Sequence, residues 1–336
     1  MPRPASRKKG QHFLHSAASR TIALGDVMRM CEDEAERVFA SIRWHGNDGK
    51  PICPWCCCTA SYDCRRPNGA SRWRCKGCGK DYSLTSGTSF AYHKLSIRDY
   101  LAATVIYVNE VKSKAHLALS RDLDIQSKTA FVLSHKLREA VGKEIAANQL
   151  GGIDKIAEID GAYFGGYQKP ANRKADRVDR RLKENQSGKK KCVVVIRERN
   201  GRSKTKVFGS EDEAMGFIQR SLGKGTIVHA DESNAWNDLH GRFKTFRVNH
   251  SVEYKSQDGA CTNNAESYFS RLRRCEVGIH HNISGVYLGR YAAEIAWRED
   301  YRRTSNGDQF RQVINLVSIT GPSRDFVGYW QRSWAA

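Results

Sequence analysis

A mixed α+β/α/β architecture in three parts is predicted by three observations. Two C-x2-C pairs stand near the N-terminus, a purely helical stretch follows, and beyond residue 150 β-rich runs alternate with helical ones. In that order they give a small zinc-ribbon domain, a helical (helix-turn-helix-like) segment and a mixed-sheet domain. The predicted boundaries are a basic arm at 1–30, an N-terminal helix with the ribbon at 31–95, the helical segment at 96–150, the sheet domain at 151–305 and a C-terminal tail at 306–336.

Composition narrows the partners. The 336 residues carry 56 Lys and Arg against 36 Asp and Glu, a formal charge of +20, and the pI is near 9.6. Such an excess favours a polyanion, of which nucleic acid is the commonest. A hydrophobic content of 40% with 27% charged residues excludes a disordered chain. Apolar runs such as Val193–Ile196 are too short to cross a membrane. No apolar stretch of signal-peptide type follows "MPRPASRKKG", so a cytoplasmic, nucleoid-associated protein is expected. Eleven cysteines, an odd number without an export signal, point to metal ligands and buried thiols rather than disulfides.

The first elements follow from local pattern. "CEDEAERVFASIRW" (31–44) opens with acids and carries Ala35, Val38, Phe39 and Ile42 at helical spacing. Gly and Pro in "HGNDGKPICPWC" end that helix. Cys53 and Cys56, then Cys75 and Cys78, are two knuckles at the spacing of a tetrahedral four-cysteine zinc site. Cys57, Cys58 and Cys64 lie close enough to replace Cys56, so the register stays open at this point. From Ser96 to Gly142 the pattern is helical, with a short turn at Asp124–Gln126 between two helices. Ala130, Leu133, Leu137 and Ala140 share one face of the second. A helix-turn-helix would present Ser127, Lys128, Thr129 or Ser134 to a DNA groove; a plain helical hairpin has the same periodicity.

Beyond "NQLGG" the texture is that of strands. "KIAEIDGAYFGG" (155–166) is apolar and turns at glycines, and a basic stretch, Lys169 to Lys191, follows. "KCVVVIRERNGRSKTKVFGS" is a hairpin about Asn200-Gly201. "EDEAMGFIQRSL" is a helix with acids in its first turn, "GTIVHADES" a fourth strand and "FKTFRVNHS" a fifth. "NNAESYFSRLRRCEVG" is a helix ended by Gly278. This order matches a ribonuclease H-like mixed sheet, in which the first and fourth strands are neighbours.

That arrangement sets Asp160 beside Asp231. The last helix offers Glu266 on a polar face with Asn263, Ser270 and Arg273, opposite a buried face of Ala265, Tyr268, Phe269 and Leu272. Clustered carboxylates need a positive partner, and oxygen-only ligation selects two Mg²⁺ or Mn²⁺ ions. Two such ions promote phosphodiester displacement. Glu158, on the same strand face as Asp160, is an alternative ligand, and Glu232 is a solvent-facing or hydrogen-bonding neighbour. Phosphate contacts are expected from Arg271, Arg273, Arg274, Lys128, Lys189 and Lys190. His280 and His281 have DNA-contacting and packing readings. Tyr287, Tyr291, Ile295 and Trp297 read as core, and Arg298 as a salt-bridge former or phosphate contact.

A four-cysteine ribbon followed by "KDYSLTSGTSF", then "SKTAFVLSHKLREAV", "EIDGAYFGG", "HADES", "TNNAESYFSRLRR" and "GIHHNISGVYLGRYAAEIAWR", resembles the bacterial insertion-sequence transposases with an ISXO-type DDE domain. The resemblance runs from about Asp33 to Arg303 in unbroken motif order. It implies metal-dependent cleavage of double-stranded DNA at the element's terminal inverted repeats. The freed 3′-hydroxyl is then transferred into target DNA by a homodimer or higher assembly. The first two catalytic acids of that family fall on Asp160 and Asp231. The third falls on Glu266, with Asn263 as the alternative, since members use Glu or Asn. The family often has Asp-Glu at its first motif, and this chain has Asp160-Gly161. Two other readings share the same recognition modules: a domesticated, non-catalytic zinc-ribbon DNA-binding protein, and a metal-dependent nuclease without strand transfer.

Overall fold

The computed structural model describes residues 12–67, 69–92, 94–165, 171–179, 190–248 and 261–326. The chain forms two compact units, Met1–Ala140 with Tyr301–Ala336, and Val141–Asp300.

The first unit opens with α1 (Leu24–Met28) and α2 (Glu32–Arg43). Acids crowd the first turn of α2, where Glu34 accepts the Cys31 backbone N–H at 2.9 Å, and Ala35 and Phe39 are buried. The cysteine-rich segment forms an antiparallel sheet of β1 (Ser61–Asp63), β2 (Arg72–Cys75) and β3 (Asp81–Ser83). Helix α3 (Ile97–Asn109) starts at Ser96, whose hydroxyl accepts the Asp99 N–H at 3.1 Å. It is buried from Tyr100 to Val108, as a helix apolar on every side must be.

α4 (His116–Asp122) and α5 (Ser127–Ala147) follow, with the turn residue Asp124 at φ 49°. The predicted stripe Ala130, Leu133, Leu137, Ala140 is buried. Ser127 and Lys128 are exposed. Ser134 is 3% exposed, which removes it from any groove-reading set: it sits next to Leu133 at the edge of the buried stripe. The division between units falls within α5, after Ala140, rather than at the Gly151-Gly152 break.

The second unit begins with the short β4 (Leu150–Gly151), then β5 (Ile156–Phe164), β6 (Lys191–Glu198) and β7 (Ser203–Phe208), which pair antiparallel in series. The turn from β6 to β7 sets Asn200 at φ 58°, the left-handed conformation that Asn tolerates. After a 3-10 turn (Asp212–Ala214) come α6 (Met215–Ser221) and β8 (Leu222–Gly223), which pairs in parallel with β4. β9 (Ile227–Asp231) lies parallel to β5, and β10 (Lys244–Val248) parallel to β9. The sheet order β10-β9-β5-β6-β7 is the predicted ribonuclease H-like one.

One face of this sheet holds Ala157, Ile159, Val194, Ile196, Val228 and Ala230, packed with Phe217, Ile218, Trp236 and Leu239. Each fully buried Val, Ile or Leu side chain among them contributes about 1.5–3 kcal/mol. The other face carries α7 (Asn263–Cys275) and α8 (Leu288–Asp300). There the Phe164 and Phe269 rings lie 6.2 Å apart and the Tyr268 hydroxyl donates to the Ala292 carbonyl at 3.0 Å. α7 does not end at Gly278. It widens into a π-type turn, Glu276–His280, and stops at His281, which takes φ 58°.

The chain then re-enters the first unit as α9 (Asn306–Ile319), capped by Ser305. Phe310, Val313, Ile314 and Val317 are buried, and α9 packs on α2 and α3. The segment predicted as a tail therefore contains a core helix; its aromatic end beyond Phe326 lies outside the described residues. Among the described residues, no helix is long and apolar enough to cross a membrane.

Candidate metal centres

The ribbon's two knuckles have the same backbone geometry. Cys53 donates its N–H to the Cys58 carbonyl and Cys75 to the Lys80 carbonyl, while Cys57 and Gly79 donate back to Cys53 and Cys75, all at 3.0 Å. The residue after each second ligand is left-handed, Cys57 at φ 60° and Gly79 at φ 70°. These turns bring the sulfurs of Cys53, Cys56, Cys75 and Cys78 within 4.8 Å of one another, with Cys53–Cys78 at 3.7 Å and Cys56–Cys75 at 3.5 Å. A tetrahedral shell with zinc–sulfur bonds near 2.3 Å spaces its sulfurs about 3.8 Å apart, so the group fits zinc. The N–H groups of Gly77 and Cys78 point at the Cys75 sulfur, at 3.3 and 3.5 Å. The Cys78 N–H is the main cause that brings the Cys75 thiol down to about 6, towards the thiolate a metal needs. The group contains Cys56: Cys57 occupies the turn, Cys57 and Cys64 are exposed outside the group, and the Cys58 thiol donates to the Ala60 carbonyl at 3.6 Å.

In the second unit, the last pair between β5 and β9 is Ile159 with Ala230. The next residues, Asp160 and Asp231, are neighbours where β9 ends, and both are half-buried. Asp160 Oδ1 accepts the Gly161 N–H at 2.7 Å. Asp231 Oδ1 accepts the Ser233 N–H at 3.2 Å, and Arg247 donates to the carbonyls of Asp231 and Ser233 at 2.6 and 2.5 Å. The turn after the strand is thus held from two sides, and a 3-10 stretch, Asn234–Gly241, follows it.

Glu266, in the first turn of α7, is half-buried. Burial pushes the Asp160 carboxyl up to about 7, with Asp231 next in effect and Glu211 and Glu266 adding to it, against the Gly161 N–H. The fold thus brings the three sequence-predicted acids into one electrostatic neighbourhood. It adds a fourth, Glu211, which the sequence marks only as one acid among several before a helix. Asn263 is the exposed first residue of α7, one turn before Glu266.

Glu158 is engaged by other partners. It is wholly buried and accepts the Arg199 Nε at 2.9 Å, the Asn264 backbone N–H at 2.7 Å, the Asn264 side-chain amide at 2.9 Å and the Ala265 N–H at 3.2 Å. It caps the N-terminus of α7 and neutralises Arg199. Through the helix start it fixes where Glu266 stands. The signal was in the sequence, an acid two residues from Asp160 on the same strand face, but not its partner.

The basic candidates separate by position. Arg273, Arg274, Lys190 and Lys128 are exposed, whereas Lys189 and most of the Lys169–Lys191 stretch lie outside the described residues. Arg271 is only partly exposed and ion-paired with Glu299 of α8, which withdraws it from the phosphate-contact set. Arg298 is buried and paired with Glu294 at 2.7 Å, the salt-bridge reading. Tyr291, Ile295 and Trp297 are buried and Tyr287 half-buried. His280 packs edge-on to Tyr291 at 4.6 Å; Glu232 and His281 are exposed.

The strand order and the acids at adjoining strand positions define a ribonuclease H-like domain with a carboxylate cluster. Comparison with known families is specific on this point. Residues 149–300 match the family model of the ISXO2-like transposase domain, so over that span the chain is similar to insertion-sequence transposases. Comparison with curated proteins gives no match.

Proposed function

We propose that this protein is an insertion-sequence transposase that cuts double-stranded DNA at the ends of its element and joins the freed 3′-hydroxyl to target DNA by metal-dependent phosphoryl transfer. The observation that carries the reading is the parallel β5–β9 register, which makes Asp160 and Asp231 neighbours while α7 delivers Glu266.

The residues present fit divalent cations. All the donors are carboxylate oxygens, the choice of Mg²⁺ and Mn²⁺. Asp160 meets the like charges of three other carboxylates, an arrangement that a cation relieves. Among the described residues the four cysteines are the one ligand group packed within 4.8 Å; the carboxylates stand further apart and would close on the ions as these bind. Asp160, Asp231 and Glu266 would hold the pair. Two bound ions would supply Lewis-acid activation of the attacking oxygen and stabilise the leaving one. The protein's own work is positioning. Arg273, Arg274 and Lys190 would seat phosphates, and the Arg247-braced turn would keep Asp231 in place during attack, first by water and then by the 3′-hydroxyl. The ribbon and the helical segment would recognise the inverted repeat, and pairing two ends calls for a dimer or higher assembly.

The test is cleavage and joining of DNA bearing the element's ends, with Mg²⁺ or Mn²⁺, by wild type and Asp231→Ala. Metal-dependent nicks and joined products, both lost in the variant, support the proposal. Nicks without joining indicate a nuclease. Binding without cleavage by either protein indicates the non-catalytic reading.

A further inference from the structure

We infer that Glu211 is a fourth carboxylate of this metal site, admitted to it because residue 161 has no side chain; the inference rests on the metal-dependent reading above.

Glu211 stands just before the 3-10 turn that leads into α6. Its neighbours Asp212 and Glu213 are exposed, as ordinary first-turn acids are, but Glu211 is half-buried. Its side chain is held at one oxygen and placed against a glycine by the other. Oε2 accepts the Ser233 hydroxyl at 2.9 Å, and Ser233 is the residue whose N–H holds Asp231. Oε1 lies on the other side, over Gly161, whose N–H holds Asp160 at 2.7 Å. Glu211 is thereby tied, through one residue each, to both strand acids.

Gly161 explains how it gets there. The residue sits in regular pairing with Val194 and is not among the glycines with positive φ, so its backbone would accept any side chain. Space would not. A Cβ at 161 would fall 2.6 Å from Glu211 Oε1, 2.7 Å from Cγ and 2.9 Å from Cδ, all inside van der Waals contact. The glycine is matched to the glutamate across the sheet surface. A fourth carboxylate linked through Ser233 and Gly161 to Asp231 and Asp160 adds like charge that a cation would relieve, and ligand number is one of the features by which a site holds a hard divalent ion.

The experiment titrates Mn²⁺ alone into the full-length, zinc-loaded protein, without DNA, and counts bound ions by electron paramagnetic resonance. Wild type, Glu211→Gln, Gly161→Ala and Asp231→Ala are compared. Glu211→Gln keeps the shape and removes the charge, so its fold is preserved. It should weaken Mn²⁺ binding about tenfold or more, in the range seen when a group supporting a metal is lost. Gly161→Ala leaves Glu211 in the chain but displaces its carboxylate, and should weaken binding in the same direction. Wild-type binding by Glu211→Gln and Gly161→Ala, with loss in Asp231→Ala, overturns the role of Glu211 and leaves the metal site standing. Wild-type binding by Asp231→Ala overturns the metal reading and this inference with it.

Discussion

Replacing Asp160 with Asn should make the metal-free protein more stable while abolishing catalysis. The substitution keeps the side chain's shape and removes one charge from a crowded site. In the folded chain burial and neighbouring acids raise the Asp160 carboxyl from its ordinary 3.8 to about 7. Because the folded value lies above the unfolded one, the folded state binds a proton that the unfolded state does not between about pH 4 and 7. Stability therefore falls as pH rises through that window. Above pH 7 the full penalty stands, on the order of 4 kcal/mol at 1.36 kcal/mol per pH unit; at pH 5 it is about 1.5 kcal/mol. For a unit of this size about 1 kcal/mol moves Tm by 2–4 °C, so Asp160→Asn should raise Tm by roughly 8–16 °C at pH 8 and by about a third of that at pH 5. The assay is thermal unfolding without divalent ions at both pH values, repeated with Mn²⁺. Wild type should gain about 2.7 kcal/mol at a hundredfold excess over Kd, and the variant far less. An equal Tm gain at the two pH values, or none at pH 8, would refute the reasoning, because only the charge of Asp160 couples the effect to pH.

Two further outcomes test the scaffold around the sites. Metal analysis should find one zinc per chain, lost in Cys56→Ser but kept in Cys57→Ser and Cys58→Ser; zinc retained by Cys56→Ser would reassign the register. Glu158→Gln should cost about 1–3 kcal/mol in urea unfolding, since it leaves the Arg199 guanidinium without its carboxylate and weakens the cap of α7. Glu232→Gln, at an exposed position, should stay within about 0.5 kcal/mol of wild type. Equal effects of the two would remove Glu158 from its structural role.

What was legible in the sequence was what spacing alone determines. The cysteine pairs foretold the ribbon because two residues between ligands fix a knuckle's turn, and strand and helix periods foretold the sheet order and the faces of α7. Positions whose environment depends on distant chain were not legible. Ser134 read as groove-facing because polarity suggests a surface, yet α5 turns it towards the core. Residues 306–319 read as tail because nothing local says that their apolar stripe has α2 and α3 to pack on. Arg271 and Arg273 look alike in "RLRR", but two positions on a helix differ by about 200°, and one meets Glu299 while the other is exposed. Glu211 could be recognised only once Gly161 was placed opposite it.

The two acids of β5 show how one strand separates structure from chemistry. Glu158 and Asp160 are two residues apart, so the pleat aims both at the same face, where α7 packs. The protein surrounds Glu158 with a guanidinium, a side-chain amide and the N–H groups of a helix start. Its charge is fully compensated, and removing it damages the fold. Asp160 receives one backbone N–H and otherwise feels the charges of Asp231, Glu211 and Glu266. A chain of net charge +20 has cations to spare, and it compensates one of these acids while leaving the other among its own kind. Stability alone would disfavour that arrangement, since every one of the three neighbours raises the free energy of ionised Asp160. The imbalance makes sense when the missing positive charge arrives from outside as a divalent ion, and Glu158, by anchoring α7, keeps Glu266 in place to receive it.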